Sequence, residues 1–214
     1  MVRLLLLGAS GLVGGEALRA ALEDREVEGV IAPTRKALPL HPKLTNPVSP
    51  ELESLLSAVA GWSVNGVICA LGTTMARAGS RAAFHRVDHD LPLSFARAAH
   101  EHGAQAFCLV SSIGASPASR FFYARTKGET ERDIQYVGFA CLTILRPMII
   151  EGDREENRIA ESIVLNLAKG LGAFLGPRFK VNPASTIARA AIDAIVNPKQ
   201  GVHFVYSPEL TARS

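Results

Sequence analysis

Tyr123 and Lys127 are four residues apart in Tyr123-Ala-Arg-Thr-Lys127, so a helix through them puts both side chains on one face. An ammonium beside a phenol favours the phenolate and brings the tyrosine proton within reach at working pH. Such a tyrosine can hand a proton to a carbonyl oxygen while a hydride reaches the carbon. Just upstream, Ser111-Ser112 closes the apolar run Ala106 to Val110, which reads as a buried strand. A hydroxyl at that strand end can hydrogen-bond the same oxygen. Ser112 is the candidate and Ser111 the adjacent alternative, since successive residues point to opposite sides. A Tyr-x-x-x-Lys spacing by itself also arises by chance on solvated helices. Its place in the chain gives it weight.

Hydride chemistry needs a carrier, and the start of the chain provides for one. Val2 to Leu7 is an apolar run suited to a strand covered on both faces. Gly8-Ala-Ser10-Gly11-Leu12-Val13-Gly14 follows at once, and Glu16 to Asp24 continues with helical spacing. Strand, glycine turn and helix form the context of a dinucleotide-binding loop, with pyrophosphate at the helix N-terminus. Gly8 serves the tight turn, Gly11 the approach of the phosphates and Gly14 the close packing of the helix. The spacing is G-x-x-G-x-x-G, so the general fingerprint is met loosely. Gly8, Ser10, Gly11, Leu12, Val13 and Gly14 are the residues expected at the cofactor.

The second apolar run, Val30-Ile31-Ala32, ends in Pro33-Thr34-Arg35-Lys36 with no acid. An NAD-type site places Asp or Glu here for the ribose 2′-hydroxyl, whereas a basic residue accommodates a 2′-phosphate. Thr34 and Arg35 therefore indicate NADP(H). Glu28 is read as preceding the strand, at the wrong edge of the sheet. The next strand, Val64 to Leu71, ends in Gly72-Thr73-Thr74, which places Leu71, Gly72 and Thr73 over the adenine ribose.

The elements that must position these residues alternate. Leu40 to Pro50 is irregular, with room for a short strand, and Glu51 to Ala60 reads as a helix. Met75 to Ala82 reads as a polar loop and Ala83 to His102 as one long helix. His100 and His102, two apart on that helix, cannot face one ion, so no metal is expected. A further helix runs from about Arg120 to Ile134 or Gln135, and Phe139 to Leu145 is a strand closed by Arg146-Pro147. This order predicts an α/β doubly wound parallel sheet of Rossmann type. Residues 1–150 form the dinucleotide-binding core. Residues 151–214 complete it and build a small C-terminal substrate lobe, with helices at Ile159 to Lys169 and Pro183 to Val196 and a last strand at Val202 to Tyr206.

Composition narrows the function classes. A chain of 214 residues with 48% hydrophobic content buries one substantial core. A formal charge of +3, without a basic-aromatic stripe, argues against nucleic acid. The N-terminal leucines are too few and too soon interrupted for a signal peptide, and no apolar run is long enough to span a membrane. Cys69, Cys108 and Cys141 are widely spaced within apolar runs and read as buried hydrophobes in a reducing compartment. A cytoplasmic protein is expected.

The order G-A-S-G-L-V-G, Ser-Ser, Y-x-x-x-K resembles the atypical short-chain dehydrogenase/reductases. Leu71-Gly-Thr-Thr74, Ala78-Gly79, Phe84-x-Arg-Val-Asp88-x-Asp90, Ser111-Ser-x-Gly-Ala115, Tyr123-x-x-x-Lys-Gly-Glu129, Arg146-Pro147 and Asp153-Arg154-x-Glu156-x-Arg158 are similar to the Tat-interacting-protein-2 (CC3) oxidoreductase-like group. That resemblance implies a Rossmann fold binding NADPH. It also implies Ser112, Tyr123 and Lys127 at the catalytic positions, Arg35 at the 2′-phosphate, and Arg146 and Pro147 on the cofactor side. The expectation is an NADP(H)-dependent oxidoreductase of a small carbonyl or alcohol. The alternative is an NADPH-binding regulatory protein with little or no turnover. A small-molecule substrate is expected, and a homo-oligomer or a protein partner is left open.

Overall fold

Leu4, Leu5, Leu6 and Leu7 are all buried, so this run has no solvent face, as a strand covered on both sides requires. In the computed structural model, which describes residues 1–151 and 181–211, the run is an inner strand of a seven-stranded sheet, beside its central strand. The strands are β1 (Val2–Leu7), β2 (Val27–Ile31), β3 (Leu44–Thr45), β4 (Gly66–Cys69), β5 (Ala106–Val110), β6 (Cys141–Arg146) and β9 (Gly201–Tyr206). They run in the order β3-β2-β1-β4-β5-β6-β9, and every pairing is parallel. The order reverses direction at β1, next to β4, which is where ligands bind in doubly wound folds. A separate parallel pair joins β7 (Ile149–Glu151) to β8 (Val181–Pro183).

Alternation along the strands sends side chains into two cores. Leu4, Leu6, Ile68, Cys108 and Leu145 meet α1 (Leu12–Glu23) and α6 (Ala184–Val196) on one face. Leu5, Leu7, Val67, Cys69, Phe107, Leu109 and Ile144 meet the other face, built from the segment Leu52–Gly61, α4 (Leu91–Glu101) and α5 (Phe122–Gln135). The doubly wound reading therefore holds.

Several boundaries differ from the sequence expectation. Leu52–Gly61 is a 3-10 helix, because apolar residues at 52, 55, 56 and 59 suit three- and four-residue spacing alike. Glu28 lies inside β2 and pairs with Arg3 at 3.5 Å, still toward the amino end of the sheet. Met75 to Ala82 is not a loop. Thr74 accepts a bond from the Arg77 amide and Ser80 one from the Ala83 amide, capping α2 (Met75–Ala78) and α3 (Arg81–His85), with Gly79 left-handed between them. The expected long helix is interrupted by a π turn at Arg86–Asp90 between α3 and α4. Pro92 has no N–H to offer the Asp88 carbonyl at α spacing, and the Thr130 hydroxyl donates to that carbonyl instead, at 2.8 Å.

Of the expected C-terminal elements, the helix at 159–169 lies outside the described residues. Helix α6 and strand β9 are present, with β9 paired along its length to β6, and a short helix not expected from the sequence, α7 (Ser207–Thr211), follows. Among the described residues, no helix is long and apolar enough to cross a membrane.

Candidate active site

The glycine loop joins β1 to α1 at the carboxyl edge of the sheet. Gly8 has φ +88°, and a Cβ there would lie 2.5 Å from the Ala70 carbonyl oxygen at the end of β4. A Cβ on Gly14 would lie 1.9 Å from the Gly8 carbonyl oxygen, so α1 starts in backbone contact with the loop. Ser10 and Gly11 are exposed at the head of α1, whereas Val13 and Gly14 are buried beneath it. Leu12 is half-buried against the first core. The loop thus exposes residues 10 and 11 to solvent at the helix N-terminus, where an anion is favoured.

At the end of β2, Arg35 and Lys36 are exposed. Thr34 is buried, and its hydroxyl donates to the Lys36 carbonyl at 2.7 Å and accepts from Asn46 at 2.8 Å. Thr34 therefore shapes the turn that presents Arg35.

At the end of β4 the structure brings together residues that the sequence separates. Lys127 Nζ lies 2.7 Å from Asp88 Oδ1, and both side chains are buried. Asp88 Oδ2 accepts from the Thr73 amide at 2.8 Å. A Cβ on Gly72 would be 3.6 Å from Asp88 Oδ1 and 3.6 Å from Lys127 Nζ, so the pair lies directly beside the Gly72-Thr73 loop. Burial alone would lower the Lys127 pKa, but the Asp88 carboxylate and then the Tyr123 phenol outweigh it, and the ammonium is held above its ordinary value. Lys127 is a fixed cation.

Tyr123, half-buried, packs its ring against Phe84 with centroids 5.8 Å apart. The Ser111 hydroxyl is buried with no hydrogen-bond partner, and the Ser112 hydroxyl donates only a long bond, 3.3 Å, to the Ile113 carbonyl. The loop after β5 is pressed onto α5. The Ser116 amide donates to the Ala124 carbonyl at 3.0 Å, and a Cβ on Gly128 would lie 2.2 Å from the Ser116 carbonyl carbon. Gly128 thereby sets the distance between the serines and the Tyr123–Lys127 face.

Arg146 is placed differently from the rest. Its guanidinium bonds both oxygens of buried Glu131 and stacks over Phe204 at 4.6 Å, tying α5 to β6 and β9. Pro147 is buried, and its carbonyl accepts from the Ile113 amide at 2.9 Å. Cys69 and Cys108 are buried free thiols, and burial pushes the Cys69 thiol up to about 11, so neither supplies a thiolate.

Sequence reasoning missed Asp88 as a site residue. Its signal was present: Phe84, Asp88, Leu91 and Phe95 fall on one helical stripe, and an acid in an apolar stripe needs a buried partner.

A seven-stranded parallel sheet with a glycine loop at its switch point has the architecture of a dinucleotide-binding Rossmann fold. A family model described as NAD(P)H-binding matches residues 8–173, and the chain belongs to that family. Among curated relatives, the protein "fmp52, mitochondrial" of Aspergillus clavatus is 37% identical over 211 residues, spanning 94% of this chain and 90% of the relative. The corresponding protein of Saccharomyces cerevisiae is 40% identical over 159 residues, spanning 72% and 68%. Both are named as mitochondrial, which overturns the expectation of a cytoplasmic protein. Among solved structures, the enzyme WbmH of Bordetella bronchiseptica in complex with NAD+ superposes with a TM-score of 0.72 at 15% identity, covering 96% of this chain and 75% of that one. A short chain dehydrogenase family protein from Francisella tularensis matches with a TM-score of 0.69 at 13% identity, covering 99% of both chains.

Proposed function

We propose that this chain is an NADP(H)-dependent oxidoreductase of a small carbonyl or alcohol, with Ser112, Tyr123 and Lys127 as its reacting set. The observation that carries the reading is the Lys127–Asp88 pair, a buried and charged lysine held beside Gly72 at the switch-point edge of the sheet. The residues that would hold the cofactor fit it. Exposed Ser10 and Gly11 head α1, Gly14 leaves no side chain in the way, Leu71, Gly72 and Thr73 line the neighbouring strand end, and exposed Arg35 is free to meet a 2′-phosphate. When bound, the nicotinamide supplies a hydride to the substrate carbon or takes one from it.

The chain's own residues do the rest. In reduction the Tyr123 hydroxyl gives its proton to the substrate oxygen, and in oxidation it accepts one back. The Ser112 hydroxyl donates a hydrogen bond to that oxygen, where charge develops. Lys127 places a fixed positive charge beside Tyr123 and stabilises the charge left on the phenol oxygen. Asp88 is a positioning residue: it holds Lys127 from one carboxylate oxygen and the Thr73 amide from the other.

The test is fluorescence titration with NADPH and NADH, followed by turnover of a panel of aldehydes and ketones. The reading expects tighter binding of NADPH and a turnover that Tyr123→Phe abolishes. Absence of nucleotide binding would sink it. Turnover that Tyr123→Phe leaves unchanged would refute the assigned proton donor.

A further inference from the structure

Where the α3–α4 run faces α5, His85, His89 and Asp90 form a cluster that the oxidoreductase reading does not use. His85 and His89 are one helical turn apart, with ring centroids 4.4 Å apart. His85 Nδ1 lies 3.1 Å and His89 Nδ1 2.8 Å from the same oxygen, Asp90 Oδ1. The opposite nitrogen of each ring faces a carboxylate on α5: His89 Nε2 is 2.9 Å from Asp133 Oδ2, and His85 Nε2 is 3.8 Å from Glu129 Oε2. Arg132 also bonds both Asp133 oxygens, so that carboxylate is itself held in place.

The Nδ1 atoms of both rings converge on one carboxylate oxygen, Asp90 Oδ1, while the Nε2 of each ring turns to α5. A divalent ion beside Asp90 Oδ1 would take both Nδ1 lone pairs as ligands, leaving the His89 Nε2–H to donate to Asp133 at 2.9 Å and the His85 Nε2–H directed at Glu129, 3.8 Å away. Carboxylates behind ligating histidines are the usual second layer of a metal site, because they fix the tautomer and the ring orientation.

We propose that His85, His89 and Asp90 bind one zinc-class divalent ion, with Asp133 and Glu129 orienting the two rings and water completing the coordination. Asp90 Oδ1 lies 3.1 and 2.8 Å from the two Nδ1 atoms, within reach of one ion at metal–ligand bonds of about 2.0–2.2 Å, and one donor atom from each residue lies within 4.8 Å of the others. Two imidazoles and one carboxylate favour zinc, cobalt or nickel over magnesium or calcium, which prefer all-oxygen shells. His85 and Asp90 are both part-exposed, which leaves the outer side of the ion to solvent. The sequence reading expected no metal, having weighed only His100 and His102. In the structure His102 Nδ1 bonds the Ala98 carbonyl at 2.8 Å and the His100 ring packs on Phe139.

The experiment is calorimetric titration of the full chain with Zn2+, and with Co2+ followed by its visible absorption. The proteins compared are wild type, His89→Ala, Asp90→Asn and Asp133→Asn, with circular dichroism melting as the folding control. The expected result is one equivalent of tightly bound ion, a cobalt spectrum of a nitrogen–oxygen site, and no competition from Mg2+. His89→Ala should abolish the spectrum. Asp133→Asn, which touches no metal, should weaken binding by about 10–100-fold. No stoichiometric binding to the wild type overturns the proposal. So does binding that His89→Ala and Asp90→Asn both leave unchanged in folded protein. None of these readouts depends on nucleotide binding, so the metal site and the oxidoreductase reading can fail separately.

Discussion

Replacing Asp88 with alanine isolates the feature that distinguishes this site. In the folded protein Asp88 is 1% and Lys127 7% exposed, so the substitution strands an ammonium in the interior. Removing one member of a buried ion pair costs about 3–5 kcal/mol. In a chain of this length each kcal/mol lowers Tm by about 2–4 °C, so a fall of about 6–20 °C is expected. The Thr73 amide also loses its acceptor, which keeps the effect toward the upper part of that range. The pH dependence should invert as well. In the wild type the folded Lys127 pKa is raised, so its contribution is complete below the ordinary value of 10.5 and is lost only above it. In Asp88→Ala burial dominates and the folded pKa falls below 10.5. The unfolded chain then binds more protons than the folded one between the two values, and stability rises with pH across that window. Thermal melts and urea unfolding of wild type, Asp88→Ala, Lys127→Met and the double mutant provide the readout. The double mutant should recover most of the loss, since two apolar groups replace a matched pair. A single-mutant cost below about 1 kcal/mol, or strictly additive effects, would refute the argument.

Other expectations follow from the same geometry. Tyr123→Phe should lower kcat by about 10²–10⁴-fold while leaving the NADPH dissociation constant unchanged, measured by single-turnover kinetics and fluorescence titration. Arg35→Ala should weaken NADPH about 10–100-fold with little effect on NADH, in line with a loss of about 1.5–3 kcal/mol for a charge-assisted hydrogen bond. Equal losses for the two nucleotides would place the 2′-phosphate elsewhere. Gly14→Ala, whose Cβ would meet the Gly8 carbonyl at 1.9 Å, should abolish nucleotide binding and lower Tm. Gly128→Ala should impair turnover more than nucleotide binding, because it forces α5 away from the Ser116 loop.

Much of this fold could be read from the sequence, for identifiable reasons. Four buried leucines and a glycine triplet leave β1 and its turn few alternatives, and Tyr123 and Lys127 share a face by local spacing alone. The α2–α3 pair was also legible, through Thr74, Gly79 and Ser80, but sparse apolar residues hid it. Asp88 was harder to place. Its role depends on a π turn that aims it inward, and on Lys127 from a helix 39 residues further along the chain. Arg146, which the family resemblance placed on the cofactor side, is held by Glu131 and Phe204, partners that the sequence could not bring near. Long-range pairing determined both placements.

The packing of α1 has a consequence for how the protein comes into being. Its buried face, Val13, Ala17 and Ala21, shares one core with Ala184, Ile187, Ala188, Ala191 and Ile195 of α6, at the opposite end of the chain. Small residues on both helices let them approach closely, so neither face has a substitute cover. A nascent chain emerging from the ribosome therefore carries the phosphate loop long before the helix that backs it has been made. Through most of synthesis the loop helix exposes an apolar stripe, and β6 waits as an open edge until β9 arrives. Late closure of the nucleotide fold makes α6 and β9 a condition for the loop near residue 10 to be backed, and makes termination before them a route to aggregation rather than to a smaller working domain.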